Sequence, residues 1–184
     1  MNKDHIKIAE VTLKILNKKS WNAISFKEIK QKSNIKKFNI SINNKNHLLK
    51  NLNQYFDFIL SLNAKIVEKS NCKDMIFEII MMRFDILQKY RKAIISVFNS
   101  FKANPRNLVY LLPSFVESMI LIANLANIKV KGLIGNIKIK GILIIYFLTF
   151  LIWIKDDSKS LEKTMTGLDK YLDQAGQVLY FVNK

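Results

Sequence analysis

The chain has 184 residues, 49% of them apolar, with 30 Lys and Arg against 14 Asp and Glu, a formal charge of +16. That length suits one large domain or a small one joined to a larger, and the apolar share excludes disorder on composition. One cysteine, Cys72, excludes an internal disulfide or a cysteine metal cluster, and His5 and His47 lie far apart, so no metal or cofactor is expected.

Five Gly and two Pro leave few sharp turns, which favours helices over a many-stranded β protein. Lys, Ile and Asn together supply 73 residues. All three have A/T-rich codons, so base composition inflates the charge, but it does not explain why acids are scarce. Residues 1–50 carry a net +9, residues 51–104 +3, residues 105–155 +5 and residues 156–184 −1. The N-terminal quarter is the electrostatic face, and its expected partners are nucleic acid or an anionic membrane surface.

Ile6, Ala9, Leu13 and Leu16 recur at helical spacing and predict a first helix over about 4–18. Ser25 with Glu28 forms a capping box that opens a short helix over about 26–32. Ser33-Asn34 breaks it, and a third short helix is expected over about 36–42, carrying Phe38 and Ile42 inward. Asn43-Asn44 caps a long helix over about 45–69. Helices over about 74–89 and 91–102 follow, then one over about 105–126 that Pro113 should kink or divide. Gly132 and Gly135 mark a loop, and an apolar helix over about 137–155 comes next. Asp156-Asp157-Ser158 stops it and caps the last helix, about 158–181. The expectation is an all-α fold of about nine helices, divided into a head, 1–48, and a body, 49–184.

No signal-like segment opens the chain. The most apolar run, Ile142–Ile154, is 13 residues, roughly 20 Å as a helix against the ~30 Å of a bilayer core. It reads as a buried helix and not a transmembrane segment, and a cytoplasmic protein is expected. A catalytic reading finds no Gly-rich phosphate loop, nucleophile elbow or zinc-binding HExxH. Asp156-Asp157 reads as a helix stop and cap and not as an acid–base pair. The chain is therefore expected not to be an enzyme.

Trp21-Asn22-Ala23-Ile24-Ser25-Phe26-Lys27-Glu28-Ile29, with Asn44-Lys45-Asn46-His47-Leu48-Leu49 downstream, resembles the helix-turn-helix head of TetR-type regulators. Met82-Arg83-Phe84-Asp85, Lys138-Ile139-Lys140-Gly141 and the pattern of Trp153, Asp156, Asp157, Ser158, Thr164, Met165, Leu168 and Asp169 resemble a TetR-like subgroup. That subgroup shares its C-terminal domain with the accessory lipid-binding protein of ubiquinone biosynthesis. The resemblance implies a homodimer built on the last two helices, a ligand cavity among the middle helices, and operator DNA released on binding a small molecule. The quinone-biosynthesis relatives imply an alternative: a lipid- or quinone-binding accessory protein that has lost specific DNA recognition. Three departures stand out. The stretch from Glu28 to Leu49 is about two residues short, around Asn34–Lys37. Lys30 replaces a small residue that packs between helices, and Asn39 stands nearest the place of a phosphate-touching Tyr.

The expected double-stranded DNA contacts are Ser25, Lys27, Lys36, Lys37, Asn39, Ser41, Asn43 and Lys45. Lysines would anchor phosphates, Lys45 by its match to the family's phosphate-contacting lysine, and Asn39 and Ser41 would meet base edges. Phe77, Met81, Phe84, Phe98, Phe115, Met119, Tyr146 and Phe150 are singly ordinary core residues but as a set suit a small hydrophobic ligand such as a lipid or quinone. Ile144, Phe147, Leu151, Leu161, Met165, Leu168 and Leu172 are the expected dimer interface, because a helix apolar nearly all round must be covered on every side.

Overall fold

The structure is a computed structural model. It describes residues 1–35, 42–64 and 71–182, the last six of these by backbone alone. The fold is all-α: among the described residues are eight α-helices and one 3-10 turn, and no strand. They are α1 Lys3–Leu16, the 3-10 turn Trp21–Ala23, α2 Phe26–Ser33, α3 Lys45–Asn63, α4 Cys72–Lys89, α5 Arg91–Ala103, α6 Arg106–Leu125, α7 Gly132–Trp153 and α8 Glu162–Val182. The short helix expected over 36–42 lies outside the described residues but for Ile42, whose side chain is buried.

In four of these helices the side chain immediately before the helix caps it. Oδ1 of Asn2 accepts from the Asp4 N–H, Ser25 Oγ from Glu28, Asn44 Oδ1 from His47 and Asn71 Oδ1 from Asp74, at 2.8–3.2 Å. Each satisfies a backbone donor that has no partner within its own helix. Left-handed Asn34 (φ 49°) ends α2, and left-handed Asn127 (φ 55°) follows the end of α6. Beyond α6 the Ile128 N–H reaches back to the Ala123 carbonyl at 2.8 Å, which closes the helix end.

The chain forms two compact units. The first holds Met1–Leu62 and Asp85–Phe115, the second Asn63–Phe84 and Val116–Lys184. In the first, Ile8, Ala9, Thr12, Leu13, Ile15 and Leu16 make the buried side of α1, which packs on α2 and α5. Asn53 Nδ2 donates to the Ser114 carbonyl and hydroxyl, at 3.1 and 2.9 Å. Burial, with Tyr90 and Glu10 beside it, keeps the Tyr55 hydroxyl protonated well above its ordinary range.

In the second unit α7 and α8 pack together, and Phe84 of α4 stacks on Tyr146 with ring centroids 5.3 Å apart. Phe150 stacks on Trp153 at 5.4 Å. The buried Arg83 donates from Nε to the Tyr146 hydroxyl at 3.1 Å. Lys73 of α4 holds Asp169 and Asp173 of α8 at 2.8 and 2.6 Å, which raises its pKa above the ordinary lysine value.

Three expectations need correction. Of the two effects expected at Pro113, division is overturned: α6 runs unbroken from Arg106 to Leu125 with the proline inside it. Gly132 and Gly135 belong to α7 and not to a loop. A side chain at Gly135 would collide with the Val130 carbonyl, so the preceding loop folds back tightly on the first turn. This lengthens α7 to 22 residues, and both α6 and α7 are long and apolar enough to cross a bilayer by length and composition. The 13-residue run misjudged that length because it stopped at Lys140, which α7 carries on its surface.

The third correction concerns α8, which starts at Glu162 and not at 158. Leu161, at its N-cap, has no side-chain acceptor and sits in the left-handed region at φ 55°. That conformation costs about 1–2 kcal/mol for an L residue, less than the roughly 1.5–3 kcal/mol from burying a leucine, and Leu161 is buried. Capping is delegated to the preceding loop. Asp156 Oδ2 accepts from the Thr164 N–H and hydroxyl at 2.8 and 2.7 Å, and Ser158 Oγ accepts from the Glu162 N–H at 3.1 Å. The other Asp156 oxygen accepts from the Ser158 N–H and hydroxyl, at 3.1 and 2.5 Å. Burial pushes this carboxyl up, but the Ser158 and Thr164 hydrogen bonds outweigh it and bring the pKa to about 2.

A folded pKa of about 2 against the ordinary 3.8 gives stability that is complete above the higher value and disappears as pH falls toward the lower. Asp156→Asn, which leaves Thr164 facing a donor, is expected to cost about 2 kcal/mol in urea unfolding at neutral pH. It should also flatten the acid limb of stability by on the order of 1–2 kcal/mol, and an unchanged midpoint and acid limb would contradict the capping role.

Candidate nucleic-acid interface

Residues 1–48, the expected head, lie within the first unit and hold α1, the 3-10 turn, α2 and the start of α3. Ile29, Ser33, Ile35, Leu48 and Leu49 are buried, which leaves the polar side of α2 outward. Lys27, Lys30 and Lys32 of α2 are exposed, as are Lys3, Lys7, Lys14, Lys18 and Lys19. Lys30 therefore does not intrude between helices. Its side chain faces water, and its backbone carbonyl accepts from the Ser33 hydroxyl at 3.1 Å.

Ser25 caps α2, so one side of the expected capping box is present. The other side is not. Glu28 binds Lys32 at 2.8 Å and Lys19 at 2.9 Å instead of reaching back to the Ser25 N–H. Lys32 and then Lys19 hold its carboxyl below the ordinary glutamate range. The N-terminal turn of α2 presents Lys27 beside the capping serine, and a helix start of this kind favours an anion.

Lys45 has a structural duty. Its Nζ donates to the Trp21 and Asn22 carbonyls at 3.1 and 3.0 Å and lies 5.9 Å from the Trp21 ring centroid. It ties the start of α3 to the 3-10 turn and is half-buried, and an ammonium has a third N–H to offer outward. Asn43 is exposed, its Oδ1 accepting from Asn44 Nδ2 at 3.2 Å. Lys36, Lys37, Asn39 and Ser41 lie outside the described residues.

Residues of α5 belong to this neighbourhood although no local motif announced them. The Trp21 N–H donates to Ser96 Oγ at 2.8 Å across 75 residues of sequence. Beside it lies an open cleft of about 460 Å³, lined by Ser20, Asn22, Lys92, Ser96 and Asn99 among others. Only tertiary packing brings the turn to α5, so spacing in the sequence carried no signal of it.

Of the expected ligand set, Phe77, Met81, Phe84, Met119, Tyr146 and Phe150 lie in the second unit, while Phe98 and Phe115 lie in the first. Met81, Phe84, Met119 and Tyr146 are buried and the others half-buried. Of the expected interface set, Leu161, Leu168 and Leu172 are buried within the chain, Phe147 is half-buried, and Ile144, Leu151 and Met165 are exposed at 59%, 50% and 40%. Among the described residues no group of three His, Cys, Asp or Glu converges to hold a metal ion.

The chain is similar in fold to the crystal structure of the TetR transcriptional regulator from Nitrosomonas europaea ATCC 19718. The TM-score is 0.75 at 16% identity, and the match covers 96% of this chain and 99% of that one. No protein-family model matches the chain, and no curated protein sequence does.

The turn's anchorage on α5 is directly testable. Ser96→Ala leaves the buried Trp21 amide without its acceptor and is expected to lower stability by about 1–2 kcal/mol. Thermal or urea unfolding of the variant reads this, and an unaltered midpoint would remove Ser96 from the head's support.

Proposed function

We propose that the protein is a TetR-type transcriptional regulator that binds operator DNA as a homodimer and responds to a small hydrophobic ligand. The observation that carries this reading is the fold likeness to a TetR regulator over nearly all of both chains. The basic first 50 residues and the outward lysines of α2 support it. Ser25 and Lys27 meet a phosphate at the start of α2, and Lys45 offers its remaining N–H to another. Lys36 and Lys37 would anchor phosphates, Asn39 and Ser41 would read base edges, and Asn43 completes the DNA-contacting set.

Dimerisation uses the exposed side of α7 and α8. Ile144, Leu148 and Leu151 share one side of α7 at spacings of four and three, with Gly141 one step before them in open space. No charged residue lies between Gly141 and Ile154, so this stretch of α7 can meet its own copy without repulsion. Phe147 flanks it, and Met165 is the exposed contribution of α8. The ligand lies among Phe77, Met81, Phe84, Met119, Tyr146 and Phe150, where flexible Met and flat rings admit an apolar molecule.

The decisive experiment selects binding sites from a random duplex pool at near-physiological salt, where non-specific phosphate attraction is reduced. The expected outcome is an enriched palindrome with half-sites about one helical turn apart, lost in Lys36→Glu/Lys37→Glu with no change in melting. No enrichment, or unchanged affinity of that variant, would overturn the reading. Ile144→Glu/Leu151→Glu is expected to halve the mass seen by light scattering at micromolar concentration. A wild-type chain that is monomeric there would remove the dimer.

A further inference from the structure

The first turn of α7 presents large apolar side chains outward. Leu133 is 83% exposed, Ile134 67% and Ile137 61%, three of the largest apolar exposures among the described residues. Their support is the helix itself. Left-handed Asn127 and Gly132 (φ 73°) set the loop's two ends, and the Val130 carbonyl lies against Gly135. The apolar tip therefore belongs to the start of α7 and not to the loop before it.

Lysines surround it. Lys129, Lys131 and Lys140 are exposed and Lys138 half-exposed. Between Glu117 and Asp156 the chain has five Lys and no acid at all. The apolar stripe continues down α7 into the Ile144–Leu151 stretch, but the two parts differ in charge: four lysines flank 128–140 and none lies in 141–154. If the tip paired with the same patch of a second copy it would set lysine against lysine, which opposes self-pairing there. Double-stranded DNA would answer the charge but has no use for three outward apolar side chains. An anionic bilayer answers both: phosphates at the surface take the lysines, and the acyl boundary just beneath takes Leu133, Ile134 and Ile137.

We infer that this corner of the second unit is a docking surface for an anionic lipid membrane. The inference is independent of operator binding, which uses the other end of the sequence. The apolar tip supplies short-range insertion and the lysines supply salt-sensitive attraction, so both are required for lasting attachment.

The test floats the full chain with vesicles of phosphatidylcholine alone and of phosphatidylcholine mixed with phosphatidylglycerol. Binding is expected to the mixed vesicles only, and to weaken as salt rises. Leu133→Ser/Ile134→Ser keeps the charge and should reduce partitioning about tenfold or more. Lys129→Gln/Lys131→Gln keeps the tip and should reduce it about fivefold per lysine, with a shallower salt dependence. All four side chains are exposed, so circular dichroism melts should match wild type. Failure of the wild type to float with mixed vesicles, or wild-type flotation by both variants, overturns the inference. So does a serine variant that changes only the mass in light scattering, which assigns the tip to a second copy, or only duplex binding, which assigns it to nucleic acid.

Discussion

A carboxylate buried in a helical hairpin must have its lone pairs occupied, and α8 must find acceptors for the N–H groups of its first turn. Asp156 meets both needs with one side chain. Its four hydrogen bonds come from Ser158 and Thr164, two from each, and Ser158 passes the same service on to Glu162. The end of α7 and the start of α8 are thereby fixed at one point. The rest of the second unit is arranged about that hairpin: Phe84 on Tyr146 and Trp153, Arg83 on Tyr146, and Lys73 on Asp169 and Asp173. The outward side of α7 keeps its apolar stripe because the inward side is already filled by Ile139, Ile142, Ile145, Tyr146, Thr149 and Trp153.

The first unit uses a comparable economy around Trp21. Its ring is buried, its N–H goes to Ser96, and its carbonyl takes Lys45. One residue in a single-turn element is thus tied to α5 through its N–H and to α3 through its carbonyl and ring. The lysine matched by resemblance to a phosphate contact is also the lysine that fixes the turn's carbonyl end. Position and charge are joined in the same side chain, so substitution there alters the head's geometry as well as its attraction for anions.

The elements that local rules govern were legible. Asn2, Ser25, Asn44 and Asn71 are small polar residues beside apolar periodicity, and the caps of α2 and α3 fell where that pattern placed them. The start of α8 was not legible, because its cap acceptors precede it by several residues and its N-cap is a leucine. The start of α7 was misread because Gly132 and Gly135 serve a left-handed entry and a close backbone approach, and by composition alone both look like a loop. Glu28 followed charge and not the capping pattern, since two lysines lay within reach. Ser96 and Lys92 could not be attached to the head at all, for nothing local links them to Trp21. Of the expected interface leucines, Leu161, Leu168 and Leu172 share the helical period of an outer face and an inner one, and the fold uses them inside.

The left-handed Leu161 bears on the order in which the chain acquires its structure. A helix whose N-cap resists its own conformation, and whose acceptors belong to another segment, has little reason to nucleate alone. α8 becomes favourable only when Asp156 is in place and Leu161 has a core to enter, and both depend on α7. Ribosomal synthesis delivers α8 after α7, and so after the surfaces it requires. Secondary structure and docking in this segment are therefore a single cooperative event, and the hairpin is lost as one block instead of fraying from its C-terminal helix.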